Sequence, residues 1–195
     1  MFENKINNLD LEFDDMFYNR CDNYIALLKQ WGSVHNLTAE LEQEKIENNI
    51  IDSIYPLKFL KKFDSFADIG TGAGYPGMLI AIARPDIKAT LIEPRRKRVA
   101  FLNFVKNALR LKNVEVICDR VENVKERTFD LITSRAVTNT SLLMDLTKNI
   151  TTEQTKFLFY KGSLLEEEIQ DAKLNDYDVI SIKDRNYLYI NKDKE

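Results

Sequence analysis

Glycine is scarce in this chain, six residues in 195, and four of the six stand at positions 70, 72, 74 and 77. Cysteine is scarcer: Cys21 and Cys118 are the whole complement, and their lack of paired spacing excludes a disulfide framework and a cysteine-built zinc site. No metal is expected. Also missing are a signal peptide and any apolar run long enough to cross a membrane, so the expected compartment is the cytoplasm. There are no internal repeats, low-complexity tracts or long linkers. Apolar content of 44% and charged content of 30% are ordinary for a soluble globular chain, and the length suits one domain with a substantial core. A monomer is expected.

The clustered glycines lie in Phe66-Ala67-Asp68-Ile69-Gly70-Thr71-Gly72-Ala73-Gly74-Tyr75-Pro76-Gly77. An apolar run ending in an acid, then a glycine turn, then a proline suited to a first helical turn reads as buried strand, tight turn and helix start. Gly72 to Gly77 also satisfies the dinucleotide pattern G-x-G-x-x-G, with Glu93 about 20 residues on as a ribose acid. The register Asp68-x-Gly70-x-Gly72-x-Gly74 is the better reading. It suits S-adenosyl-L-methionine (SAM), a cationic sulfonium with an amino-acid tail, beside which an acid is useful; a pyrophosphate would be repelled by it.

A net charge of −3 argues against a nucleic-acid partner until the chain is divided. Residues 1–64 carry net −5, residues 65–135 net +5 and residues 136–195 net −3. The positive charge centres on Arg95-Arg96-Lys97-Arg98 at a helix start, where cations oppose the helix dipole. Helix stability therefore does not account for them; composition leaves two readings, a local phosphate-binding surface and a solvated helix start with salt bridges.

The first 64 residues read as helical. Phe17, Cys21, Tyr24, Leu28 and Trp31 share one face of a helix from about Asp14 to Trp31, which Gly32 is expected to end. A second helix is expected from Glu40 to Leu60, with Thr38 as its cap and Pro56 dividing it. His35 lies in the polar stretch between them, open to substrate contact. From residue 65, strands alternate with helices, the pattern of a mostly parallel sheet covered on both faces. Strands are placed at Ser65–Ile69, Ala89–Glu93, Val114–Cys118, Phe129–Thr133 and Lys156–Tyr160, followed by a hairpin of Val179–Ile182 and Tyr187–Ile190, seven in all. Residues 1–64 are taken as a helical extension capping the substrate side and 65–195 as the SAM-binding core, one compact unit together.

Ligands in such sheets sit beyond the carboxyl ends of the strands. Those ends carry Asp68 and Gly70, Glu93, the Asp119-Arg120-Val121-Glu122 segment, Ser134-Arg135, and Lys161-Gly162. Glu93 is the expected ribose acid, and Val121 covers a face of the adenine. Thr133-Ser134-Arg135-Ala136 does not resemble the Asp/Asn-Pro-Pro-aromatic turn used for exocyclic amines. Cys118, expected as a small buried hydrophobe, is no ring-activating nucleophile. An available lone pair such as purine N7 remains, and it needs alignment but no general base.

In order along the chain, Asn36-Leu37-Thr38-Ala39, Asp68 to Gly77, Lys97 to Leu102, Arg120-Val121-Glu122, Phe129-Asp130, Thr133-Ser134-Arg135-Ala136 and Lys161-Gly162 resemble the bacterial small-subunit ribosomal RNA guanine-N7 methyltransferase (GidB) family. Departures are Glu93 where the family usually has Asp, and Tyr75 where it often has Leu or Phe. The resemblance implies a Rossmann-like class I SAM-dependent methyltransferase fold. It also implies methyl transfer to N7 of a guanine in 16S rRNA, as free RNA or in a small-subunit precursor, with release of S-adenosyl-L-homocysteine. Carried over from the family, Gly70, Tyr75, Val121, Glu122 and Arg135 hold the cofactor; by our own reading Arg135 serves both the cofactor's tail and the RNA, and activity is expected to depend most on it. Our own reading adds Asp68 toward the methionine end, Gly72, Gly74 and Glu93. Arg95, Arg96, Arg98, Lys161 and His35 are assigned to the RNA. Rival readings are a small-molecule SAM methyltransferase, a non-catalytic RNA-binding module and, least favoured, an NAD-linked oxidoreductase.

Overall fold

The computed structural model describes residues 2–35, 41–182 and 185–191. Three helices open the chain: α1 (Phe2–Asn7), α2 (Asp15–His35) and α3 (Gln43–Ile54), the last continued by a 3-10 turn at Tyr55–Lys58. Then come β1 (Ser65–Ile69), α4 (Gly77–Ala83), β2 (Lys88–Ile92), α5 (Arg96–Ala108), β3 (Val114–Ile117) and β4 (Leu131–Arg135). The remainder is α6 (Thr140–Leu146), β5 (Lys156–Lys161), α7 (Leu165–Asp171), β6 (Asp178–Ile182) and β7 (Arg185–Ile190). The sheet order is β3-β2-β1-β4-β5-β7-β6, parallel except for the antiparallel β7. This is the doubly wound architecture expected from the sequence.

The central strands are apolar runs because both of their faces are covered. Alternation along each strand separates two cores. Phe66, Leu91, Leu131 and Leu158 face the side of α2 to α5, whereas Ala67, Ile69, Ile132 and Phe159 face the side of α6 and α7. Asp68, two residues after Phe66, shares the parity of the first set and is thereby aimed under α4. The first helices belong to that same core: Ile6, Phe17, Tyr24, Leu28, Ile46, Ile50 and Ile54 are all buried in it. Exposing any one of these seven would forfeit roughly 1.5–3 kcal/mol of burial. The helices are thus a layer of the fold.

Two helix ends differ from expectation. Gly32 does not end α2, which runs to His35; it is buried, and a Cβ there would stand 2.5 Å from Leu41 Cδ2, so it is a glycine of close packing. α3 begins at Gln43 with Glu42 as its N-cap, and Pro56 falls in the 3-10 turn that follows. The expected cap Thr38 lies outside the described residues. β4 runs to Arg135 rather than Thr133, which puts Ser134 and Arg135 on the strand itself. Among the described residues, no helix is long and apolar enough to cross a membrane.

Candidate functional site

The loop from Gly70 to Pro76 is built on Asp68. Its carboxylate is fully buried and accepts hydrogen bonds from the Thr71 hydroxyl, from Thr133 Oγ1 at 2.7 Å and from the Gly77 N–H at 3.0 Å. Burial pushes the acid up to about 6, against the opposing pull of these donors and of Arg135. Gly77 lets α4 start directly on the strand: a Cβ there would lie 2.5 Å from both Asp68 Cβ and Leu91 Cδ2. Gly70 has φ +66°, a conformation that disfavours other residues, and a Cβ there would meet Val137 Cγ2 at 2.5 Å. From α2, the Tyr24 hydroxyl donates to the Ala73 carbonyl at 2.8 Å, holding the loop from its far side.

A cavity of about 540 Å³ opens beyond the carboxyl ends of β1 to β4, lined by Gly70, Glu93, Arg95, Arg98, Val121, Glu122 and Val137 among others. Glu93 is buried at the end of β2; one oxygen accepts the Gly72 N–H and the other the Arg95 N–H, both at 3.0 Å. Arg98 Nη1 stands 3.6 Å from the first of these oxygens. A carboxylate offers about four lone-pair sites, so Glu93 retains acceptor capacity for hydroxyl groups. Ile92, Val121 and Leu146 supply apolar wall. A nucleoside with a diol, a flat base and a tail passing close to backbone fits this set: a carboxylate, apolar cover, and a glycine edge at Gly70.

Arg135 ends β4; Ala136 and Val137, next in sequence, line the cavity, whereas Arg135 itself is not among the lining residues and turns toward Tyr75 and α3. Its guanidinium sits over the Tyr75 ring, 4.7 Å from the centroid, within the range of a cation–π contact. From α3, Asn49 Oδ1 accepts from Arg135 Nη1 at 2.8 Å, and Asp52 Oδ2 from the same nitrogen at 3.2 Å.

The GidB family model, described as rRNA small subunit methyltransferase G, matches residues 18–193. The ribosomal RNA small subunit methyltransferase G of Aliarcobacter butzleri is 60% identical over 181 residues, 93% of each chain, and that of Wolinella succinogenes is 43% identical over 187 residues, 96% of each. The chain belongs to the rRNA small subunit methyltransferase G family. Family membership agrees with the resemblance read from its motifs. Among solved structures, a methyltransferase from Geobacter sulfurreducens matches with TM-score 0.65 at 14% identity, over 93% of this chain and 92% of its own. A putative S-adenosyl-L-methionine-dependent methyltransferase from Methanococcus maripaludis matches with TM-score 0.60 at 13% identity, over 95% and 97%. The fold of this family member is therefore that of the SAM-dependent methyltransferases.

Of the residues singled out in the sequence of this family member, the structure gathers Gly70, Glu93, Val121, Glu122, Arg95 and Arg98 around one cavity. Gly72 and Gly74 build the loop, both with positive φ. Asp68 was expected toward the methionine end; fully buried beneath α4, it supports the loop from inside and does not line the cavity. Tyr75 is buried between Arg135 and Tyr24. Arg96 is exposed at the start of α5, outside the cavity lining.

Lys161 requires correction: its side chain is only 8% exposed, and its ammonium is held by Glu168 Oε2 at 2.5 Å and the Thr138 carbonyl at 3.2 Å. Glu168 also accepts from the Thr140 N–H and hydroxyl, both at 2.8 Å, so this lysine ties α7 to α6 and presents no free charge to a phosphate. Cys118 is exposed, contrary to its expected burial, because β3 ends one residue before it. The His35 side chain lies outside the described residues, as does the Asn36 to Ala39 stretch. The sequence reading missed Tyr24, Asn49 and Asp52. Only Tyr24 left a trace, as a polar-tipped ring on the apolar face of α2.

Proposed function

We propose that this protein transfers a methyl group from SAM to N7 of a guanine in 16S rRNA, acting in the cytoplasm. The observation that carries the reading is the conjunction, at the carboxyl end of the sheet, of a cavity offering a carboxylate and apolar walls and a cationic helix start. Glu93 and Val121 are suited to the ribose and adenine, and Gly70 offers the glycine edge along which an amino-acid tail passes. Arg95 and Arg98 line the same cavity, and Arg96 and Lys97 stand exposed beside it. The family gives ribosomal RNA as the substrate class, and the local positive charge suits its phosphates.

SAM supplies an electrophilic methyl group on a sulfonium whose departure leaves a neutral thioether. A guanine N7 carries a lone pair and no proton, so the protein's task is to hold the nucleophile in line with the methyl. Arg135, fixed at the end of β4 against Tyr75 of the glycine loop, is the group assigned to orient reactants.

Incubation with SAM labelled in its methyl group, using 16S rRNA both free and in small-subunit particles, tests the proposal. Borohydride reduction and aniline cleavage then locate N7-methylguanosine. Label at N7 of one guanine is expected. Label on another atom, or RNA retention without label, overturns the reading; the second result is that of a non-catalytic RNA-binding module.

A further inference from the structure

Asp52 lies outside the motifs named above, yet three groups from two strands converge on its carboxylate. Oδ2 accepts from Arg135 Nη1 at 3.2 Å, while Oδ1 accepts from Arg185 Nε and from the Tyr187 hydroxyl, both at 2.9 Å. The side chain is 13% exposed, so these bonds operate away from bulk solvent. They are charge-assisted and correspondingly directional. Asn49, one helical turn earlier, accepts from the same Arg135 nitrogen at 2.8 Å.

Two guanidiniums, on Arg135 and Arg185, thus share one carboxylate. Without it, the two guanidiniums would lose the carboxylate they share, and Arg135 would lose one of the two acceptors that fix its terminal nitrogen. The location is a boundary. Ala136 and Val137, next in sequence to Arg135, line the donor cavity, whereas Asn49, Asp52 and Arg185 line a second cavity of about 630 Å³ at the same end of the sheet.

We infer that Asp52 is a positioning residue for methyl transfer, holding the Arg135 guanidinium over Tyr75 of the glycine loop. The inference rests on the proposed function, which assigns Arg135 to the donor. Asp52 acts through Arg135 and touches neither reactant.

A double-mutant cycle tests this. SAM affinity by calorimetry and single-turnover methyl transfer are measured for wild type, Asp52→Asn, Arg135→Gln and the double variant. Asp52→Asn is expected to lower the transfer rate on the order of tenfold to a hundredfold, the scale of a misplaced catalytic geometry, and to weaken SAM binding. In the Arg135→Gln background the same change is expected to have almost no further effect. Equal losses in both backgrounds would mean that Asp52 acts independently of Arg135, and would overturn the inference; so would wild-type behaviour of Asp52→Asn.

If Asp52→Asn does not fold, Asp52→Asn/Arg185→Gln removes one cation together with the anion and restores the charge balance. Arg185→Gln is its control, and the loss relative to that control is judged by the same criteria. SAM binding needs no RNA, which separates the two claims. A wild-type protein that fails to bind SAM ends both, whereas one that binds it but shows additive variants ends this inference alone.

Discussion

Asp68 is a buried acid, and replacing it with asparagine isolates what its charge costs the fold. Its carboxyl titrates at about 6 in the folded protein against an ordinary 3.8, because burial outweighs its donors. Between those values the unfolded chain has already released the proton and the folded chain still holds it. Stability therefore falls as pH rises from 3.8 to about 6, and is flat above. At 1.36 kcal/mol per pH unit, the separation corresponds to about 3 kcal/mol. Asp68→Asn keeps the side chain's shape. Its oxygen can accept from Gly77 and Thr71, while its amide donates to a Thr133 hydroxyl that rotates to accept. Urea unfolding of both proteins from about pH 4 to 7 cancels the other titrating groups to first order. The stability of the wild type relative to Asp68→Asn is expected to decline by about 2.5 kcal/mol over that range, the rest of the effect lying below pH 4. A flat or rising difference would refute the reasoning, because it would mean that the three donors compensate fully for desolvation.

Three further outcomes follow from the same structure. Gly77→Ala would place a methyl 2.5 Å from Asp68 Cβ and Leu91 Cδ2, lifting α4 from the strand. A loss of about 1–3 kcal/mol in thermal or urea unfolding, with weakened SAM binding by calorimetry, is expected. Lys161→Ala leaves Glu168 without its cation and is expected to cost roughly 3 kcal/mol in urea unfolding, while the salt dependence of RNA binding stays unchanged. Arg95→Ala/Arg96→Ala, in contrast, is expected to leave unfolding unchanged and to reduce the slope of log affinity against log salt by about one for each phosphate no longer neutralised.

The contrast between Lys161 and the Arg95-Arg96 pair shows what was legible in the sequence alone. Apolar runs and a glycine cluster are local signals, and they placed β1, its loop and the order of strands and helices, because a parallel sheet buried on both faces writes itself as continuous hydrophobic stretches. The strand-end position of Glu93 and Val121 followed from the same register. Lys161 was misjudged because nothing near it in sequence announces Glu168, seven residues on, folding back from α7 to neutralise it. Asp68 was misjudged in direction: strand alternation from Phe66 already aims it under α4, and the loop's appeal as a ligand site hid that parity. Asn49 and Asp52 were invisible, since two polar residues on an amphipathic helix read as solvent-facing until β4 and β7 bring arginines to them. Gly32 looked like a helix stop, and only the approach of Leu41 explains a glycine inside α2.

A crystal structure of the protein with SAM bound is the most direct measurement of the central claim. The account predicts the donor in the cavity at the carboxyl ends of β1 to β4, its ribose at Glu93 and its adenine beside Val121. Density for the donor anywhere else, with that cavity filled only by solvent, would contradict it.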